Sequence, residues 1–169
     1  MQDVEQQARI GDRKVTDDPP RAGEFFTWKE LTTTSTGLAN VPDAMARNNL
    51  RYLCSEVLDP LRRHLGRPIR VTSGYRAPAV NRAVGGSATS AHVRGEAADI
   101  KVEGMTATDI VNALLGIGVQ FDQAIAYAPI RGGHVHIGIK AGANARQRRE
   151  LLWAPEGGGY RPFVQVRPV

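Results

Sequence analysis

The pair His134 and His136, in the run HVHI, constrains this chain more than any other feature, because side chains two residues apart share a face only where the backbone is extended. If 134–139 is a strand, both imidazoles point into one site. The segment from Ser73 to Ile100 supplies partners. There His92 and Asp99 lie seven residues apart across VRGEAA, where Gly95 permits a turn before AADIKV resumes as an apolar, strand-like run. Zinc accepts imidazole nitrogen and carboxylate oxygen, and a catalytic zinc site uses three protein ligands with a fourth position open. Three of the four histidines and one aspartate therefore meet the donor requirement from a loop and two strands. A lone HxH carries little weight, since His alternating with Val also occurs on metal-free, half-buried strands. The combination with H-x6-D carries more.

The surrounding residues carry a resemblance. The order SGYR (73–76), N-x-x-VGG (81–86), S-x-H-x-x-G-x-A-x-D (90–99) and HxH resembles the M15 family of zinc D-Ala-D-Ala carboxypeptidases and related peptidoglycan peptidases, in particular the short bacteriophage forms that act as endolysins or virion components. The likeness extends loosely from about Phe25 to Ile139. It implies one zinc ion on His92, Asp99 and His136, with His134 polarising the attacking water or stabilising the tetrahedral intermediate. A second branch of the family uses a glutamate three residues before the last ligand. That position is Gly133 here, so the general base is expected to be His134, whose ordinary pKa lies near neutrality. Glu96 is the alternative base, although a solvated loop carboxylate is its simpler reading. By the same resemblance Arg76 contacts the scissile carbonyl or a substrate carboxylate, and a planar, permanently charged fork suits either. An ordinary surface arginine is the competing reading. Ser90 is implied to hydrogen-bond substrate, and Tyr75 reads as structural.

The implied activity is zinc-dependent hydrolysis of a peptide bond in peptidoglycan stem peptides or cross-links, as carboxypeptidase or endopeptidase, in a phage lytic enzyme. The alternative is a non-catalytic, zinc-stabilised module that binds peptide or cell wall, in which His134 would close the site as a fourth ligand.

The rest of the chain fits one domain over 24–169 behind a polar arm at 1–23. A formal charge of +5 suits an anionic setting such as wall polymer, nucleic acid or membrane surface. Aromatics at 6%, without a basic motif interleaved among them, argue against a base-stacking nucleic-acid surface. No apolar run approaches the roughly 18 residues of a membrane span, and the first residues lack a signal peptide. Synthesis in the cytoplasm and action at the wall or periplasm, or as a virion component, is the expectation, and so is a monomer. Cys54 lies on an apolar stripe with Leu50, Leu53 and Leu58, which marks it as buried rather than nucleophilic.

Helical spacing runs from Pro42 to Leu65, with Pro60 forcing a kink or restart. Shorter helices are expected from Trp28, behind a Thr27/Glu30 capping box, over APAVNRAV, and from Thr106 or Thr108. IRVTSG, AADIKV, QAIAYA and HVHIGI read as strands, the last two joined by a hairpin-like PIRGG. The fold class is therefore α+β, with a small antiparallel sheet carrying the zinc site and helices on one face. Beyond it, Arg146, Arg148 and Arg149 read as a solvated face, and Trp153 and Tyr160 as flanking a closing turn packed back on the sheet.

Overall fold

The structure is a computed structural model that describes residues 20–142 and 144–165. Most of the expected arm at 1–23 lies outside these residues. Its last part packs on the body: Ala22 is buried, and the buried carboxylate of Asp59 accepts from the backbone N–H groups of Glu24 (2.8 Å) and Phe25 (3.2 Å).

Helix α1 (Trp28–Thr32) starts at the expected capping box, where Thr27 and Glu30 each accept the other's backbone N–H. The long apolar pattern becomes one rod, α2 (Ala44–Leu53), a π turn (Cys54–Leu58) and α3 (Asp59–Leu65). The π turn is the local answer to Pro60, which cannot donate an internal bond and crowds the preceding turn. Leu50, Leu53, Cys54, Val57, Leu58 and Leu61 are all fully buried along it. Burial also pushes the Cys54 thiol pKa up, so it packs as a hydrophobe. No helix among the described residues is long and apolar enough to cross a membrane.

Six strands form the sheet: β1 (Ile69–Ser73), β2 (Ala97–Val102), β3 (Gln123–Tyr127), β4 (Val135–Gly138), β5 (Glu150–Ala154) and β6 (Arg161–Pro162), in the order β1-β2-β4-β3-β5-β6. Between β1 and β2 lies α4 (Pro78–Ala83), and α5 (Ala107–Gly116) joins β2 to β3, capped by Thr106 with Asp109 reciprocating. Alternation sorts the two faces of the sheet. Ala98 and Ile100 of β2, Ala124 and Ala126 of β3, and Val135 and Ile137 of β4 enter the core, which α5 covers. Asp99, Ile125 and His136 consequently belong to the opposite face.

The architecture is α+β as expected, but the sheet is larger than expected and mixed, because β5 pairs parallel to β3. The reason is Asp122, at the head of β3. It accepts from the Arg148 backbone N–H (3.1 Å) and from its guanidinium (2.7 Å), while Glu150 N donates to the Asp122 carbonyl (2.9 Å), so the returning chain enters alongside β3. Arg148 is therefore not part of a merely solvated face.

Burial alone would raise the Asp122 pKa, but the Arg148 fork outweighs it and holds the carboxyl below its ordinary value. A depressed folded pKa gives stability that is present above the ordinary value of about 3.9 and is lost as pH falls through the folded one. Asp122→Asn is therefore expected to melt below the wild type at neutral pH, with the gap closing as pH falls from the ordinary carboxyl value of about 3.9 through the depressed folded one. Thermal denaturation across pH checks this, and a constant gap would contradict it.

Candidate metal centre

One row across the open face of the sheet builds the site. Ser73 on β1 faces Asp99 on β2, Asp99 faces His136 on β4, and His136 faces Ile125 on β3. The bulge between Val71 and Ser73 shifts the end of β1 so that Ser73 meets this row.

His92 arrives from outside the sheet, on the 3-10 turn Ala91–Arg94. Ser90 caps that turn, its hydroxyl accepting from His92 N (3.3 Å), and Gly95 ends it at φ +70. A side chain at Gly95 would also collide with the Ala46 backbone of α2. The His92 Nδ1–H donates to the Gly74 carbonyl (2.7 Å), which leaves Nε2 as the bare nitrogen facing the row. Gly74 in turn abuts the Leu31 backbone so closely that a Cβ would strike its carbonyl. Gly74→Ala is expected to cost about 2–3 kcal/mol of stability and to weaken metal binding by displacing the carbonyl that orients His92. Denaturant unfolding together with zinc titration reads both effects.

Three donor atoms converge. His136 Nδ1 is 2.9 Å from Asp99 Oδ1, His92 Nε2 is 3.3 Å from the same oxygen, and the two imidazole nitrogens are 3.2 Å apart. Zinc bonds of about 2.0–2.1 Å in a tetrahedron require donor separations of about 3.3 Å, so the residues present fit zinc in chemistry and spacing. His92, Asp99 and His136 form the group of ligating side chains able to hold a metal among the described residues. Burial would raise the Asp99 pKa, but the adjacent imidazoles of His136 and His92 outweigh it and hold the carboxyl below its ordinary value. Burial lowers the pKa of His92, favouring the neutral, ligating imidazole.

Arg76 completes the support. Its NH2 donates to Asp99 Oδ2 (2.8 Å) and its Nε to Ser73 Oγ (2.8 Å), leaving Asp99 Oδ1 to the histidines. It is a paired, partly buried residue at the site, not an ordinary surface arginine. His134 extends β4 by one step, its carbonyl accepting from Tyr127 N (3.0 Å). Its ring stacks on Tyr127, with centroids 4.2 Å apart, and it stands outside the converging donors. Burial holds its pKa below the ordinary value against the pull of Asp99. Glu96 departs from expectation: it is buried, accepting from Arg94 Nε (2.7 Å) and the Ala141 backbone N–H (3.3 Å), which makes it a brace rather than a solvated loop carboxylate.

A cleft of about 880 Å³ opens over this row. Arg76, Ser90 and the three donor residues line it, with the Gly85–Gly86 loop on one side and Lys140, Arg148 and Tyr160 among its other walls. The family model described as Peptidase M15 matches residues 24–138, more than half of the chain. The chain belongs to the M15 peptidases. No curated protein matches it. M15 peptidases are zinc-dependent metallopeptidases, and in this one the matched segment contains every donor, Arg76, Ser90 and His134. Arg148 and Tyr160 fall beyond that segment, as do β5 and β6. The sequence offered no local sign of their place at an M15 site, because the partners of both residues lie far back in the chain.

Proposed function

We propose that this M15 peptidase hydrolyses a peptide bond in peptidoglycan stem peptides or cross-links, acting at the bacterial wall as a phage lytic enzyme. The observation that carries this reading is the convergence of three donors, and only three among the described residues, at an open cleft. Structural zinc sites are closed by four protein ligands, whereas catalytic ones leave a position open, which weighs against a non-catalytic wall-binding module. The net charge of +5 favours an anionic wall polymer.

Zinc at this site supplies Lewis acidity for the scissile carbonyl and for water. The chain's own residues supply the rest. Arg76 fixes Asp99 and brings a permanent positive charge to the cleft, where it stabilises negative charge developing on the carbonyl oxygen. His134, kept neutral by its burial and held flat against Tyr127, takes the proton of the attacking water on its imidazole and returns it to the departing amine. Gly133, at φ +57 in the β3–β4 connection, leaves the base role to His134. Ser90 both caps the His92 turn and lines the cleft, which supports a substrate-binding role for it.

His134→Ala is therefore expected to retain zinc while turnover falls about 10²- to 10⁴-fold. Unchanged turnover in a zinc-loaded His134→Ala protein would remove His134 from the mechanism.

A further inference from the structure

Each arginine or lysine lining the cleft is ion-paired with a carboxylate, with one exception among the described residues. Arg76 holds Asp99 (2.8 Å), Arg94 holds Glu96 (2.7 Å), and Arg148 (2.7 Å) and Lys140 (3.6 Å) share Asp122. The exception is Arg131, on the 3-10 turn Pro129–Arg131 between β3 and β4. Its NH1 donates to the carbonyls of Pro155 (3.4 Å) and Gly159 (3.2 Å), while the guanidinium lies over the rings of Tyr127 (5.3 Å) and Tyr160 (5.8 Å).

These contacts hold the side chain without cancelling its charge. They engage one of the three guanidinium nitrogens, and the two tyrosines, themselves edge to face with centroids 6.4 Å apart, restrict its rotation. A guanidinium fixed before binding loses little freedom when it pairs with an anion, and its planar fork matches a carboxylate. Arg131 lines the same cleft as His92, Asp99 and His136, so its guanidinium faces the space above the candidate metal centre. Tyr160, Pro155 and Gly159 all lie beyond the matched residues 24–138, so the β5–β6 connection completes this arrangement.

We propose that Arg131 binds a carboxylate of the peptide substrate and thereby selects an anionic peptide. This rests on the peptidase reading above. In a stem peptide with L-Ala-D-Glu and D-Ala-D-Ala linkages the carboxylate is either the free D-Glu carboxyl or the C-terminus.

The test uses a synthetic stem peptide in three forms: both carboxyls free, the D-Glu carboxyl amidated, and the C-terminus amidated. Dissociation constants come from stopped-flow fluorescence on zinc-loaded wild type, Arg131→Gln and Arg131→Lys, read before turnover, with product formation followed separately. One amidated form is expected to bind the wild type about tenfold or more weakly than the free acid, which identifies the carboxylate. Arg131→Gln is expected to bind all three forms at that weaker level, with Arg131→Lys between. The proposal is overturned if the wild type binds all forms alike or binds none of them. It is equally overturned if Arg131→Gln weakens every form by the same factor, as a prop for Tyr127 would. Cleavage without carboxylate preference would leave the peptidase reading standing and remove Arg131; preference without cleavage would do the reverse.

Discussion

His136→Ala is expected to lose zinc and, with it, all measurable peptide hydrolysis. His136 is the middle of the row, 2.9 Å from Asp99 and 3.2 Å from His92, and without it only one imidazole and one carboxylate remain. Removing a residue that merely supports a ligand costs about 10- to 100-fold in metal affinity, so removing a ligand should cost at least about 100-fold. The fold should survive. His136 belongs to the cleft face, whereas its neighbours Val135 and Ile137 are fully buried in the core and are untouched. Circular dichroism and a zinc assay on the same sample separate the two effects: native spectrum, absent metal. A zinc-free, unfolded variant would instead make the metal part of the fold's stability.

Arg76→Met carries the second large effect, and it differs between metal states. The Arg76 and Asp99 side chains are only 18% and 11% exposed, so removing the cation leaves a nearly buried carboxylate with the two imidazoles as its remaining partners. Breaking such a pair costs about 3–5 kcal/mol. In the zinc-loaded protein the metal offsets part of that charge, so the loss should be smaller there, and denaturant unfolding of both forms measures the difference. Turnover should fall about 10²- to 10³-fold even with zinc bound. Arg76→Lys keeps the charge but cannot reach both Ser73 Oγ and Asp99 Oδ2 with a fork, and should recover little. Equal destabilisation in both metal states would contradict the placement of Arg76 beside the metal.

The parts legible in the sequence are those whose signals are local. HVHI and AADIKV announce strands by their own alternation and apolar content, and Thr27 with Glu30 announces a helix start three residues away. Thr106 wins over Thr108 because Asp109 completes a capping box with it. The candidate donors were legible through an ordered series of short motifs, and the geometry brings those residues together. The misreadings involve partners far apart in the chain. Arg148 looked solvated because its anchor, Asp122, lies 26 residues earlier. Glu96 looked like a loop carboxylate because one of its donors, Ala141, lies 45 residues later. β5 was missed because its entry into the sheet depends on pairing parallel to β3, and a five-residue segment with little alternation of burial gives no pattern for that. Arg131 passed as a turn residue for the same reason, since Tyr160 lies far along the chain in the β5–β6 connection.

Under the proposed function, His92, Asp99 and His136 hold a zinc ion that serves hydrolysis of wall peptides. The most direct measurement is mass spectrometry of what the zinc-loaded protein releases from purified peptidoglycan of several wall chemistries, with chelator-treated wild type and His136→Ala as controls. The account predicts products from the zinc-loaded wild type alone: free D-Ala if the terminal bond is cut, stem or cross-bridge peptides if an internal one is. Release that is equal in the His136→Ala control, or no release from any wall type with zinc bound, would contradict it.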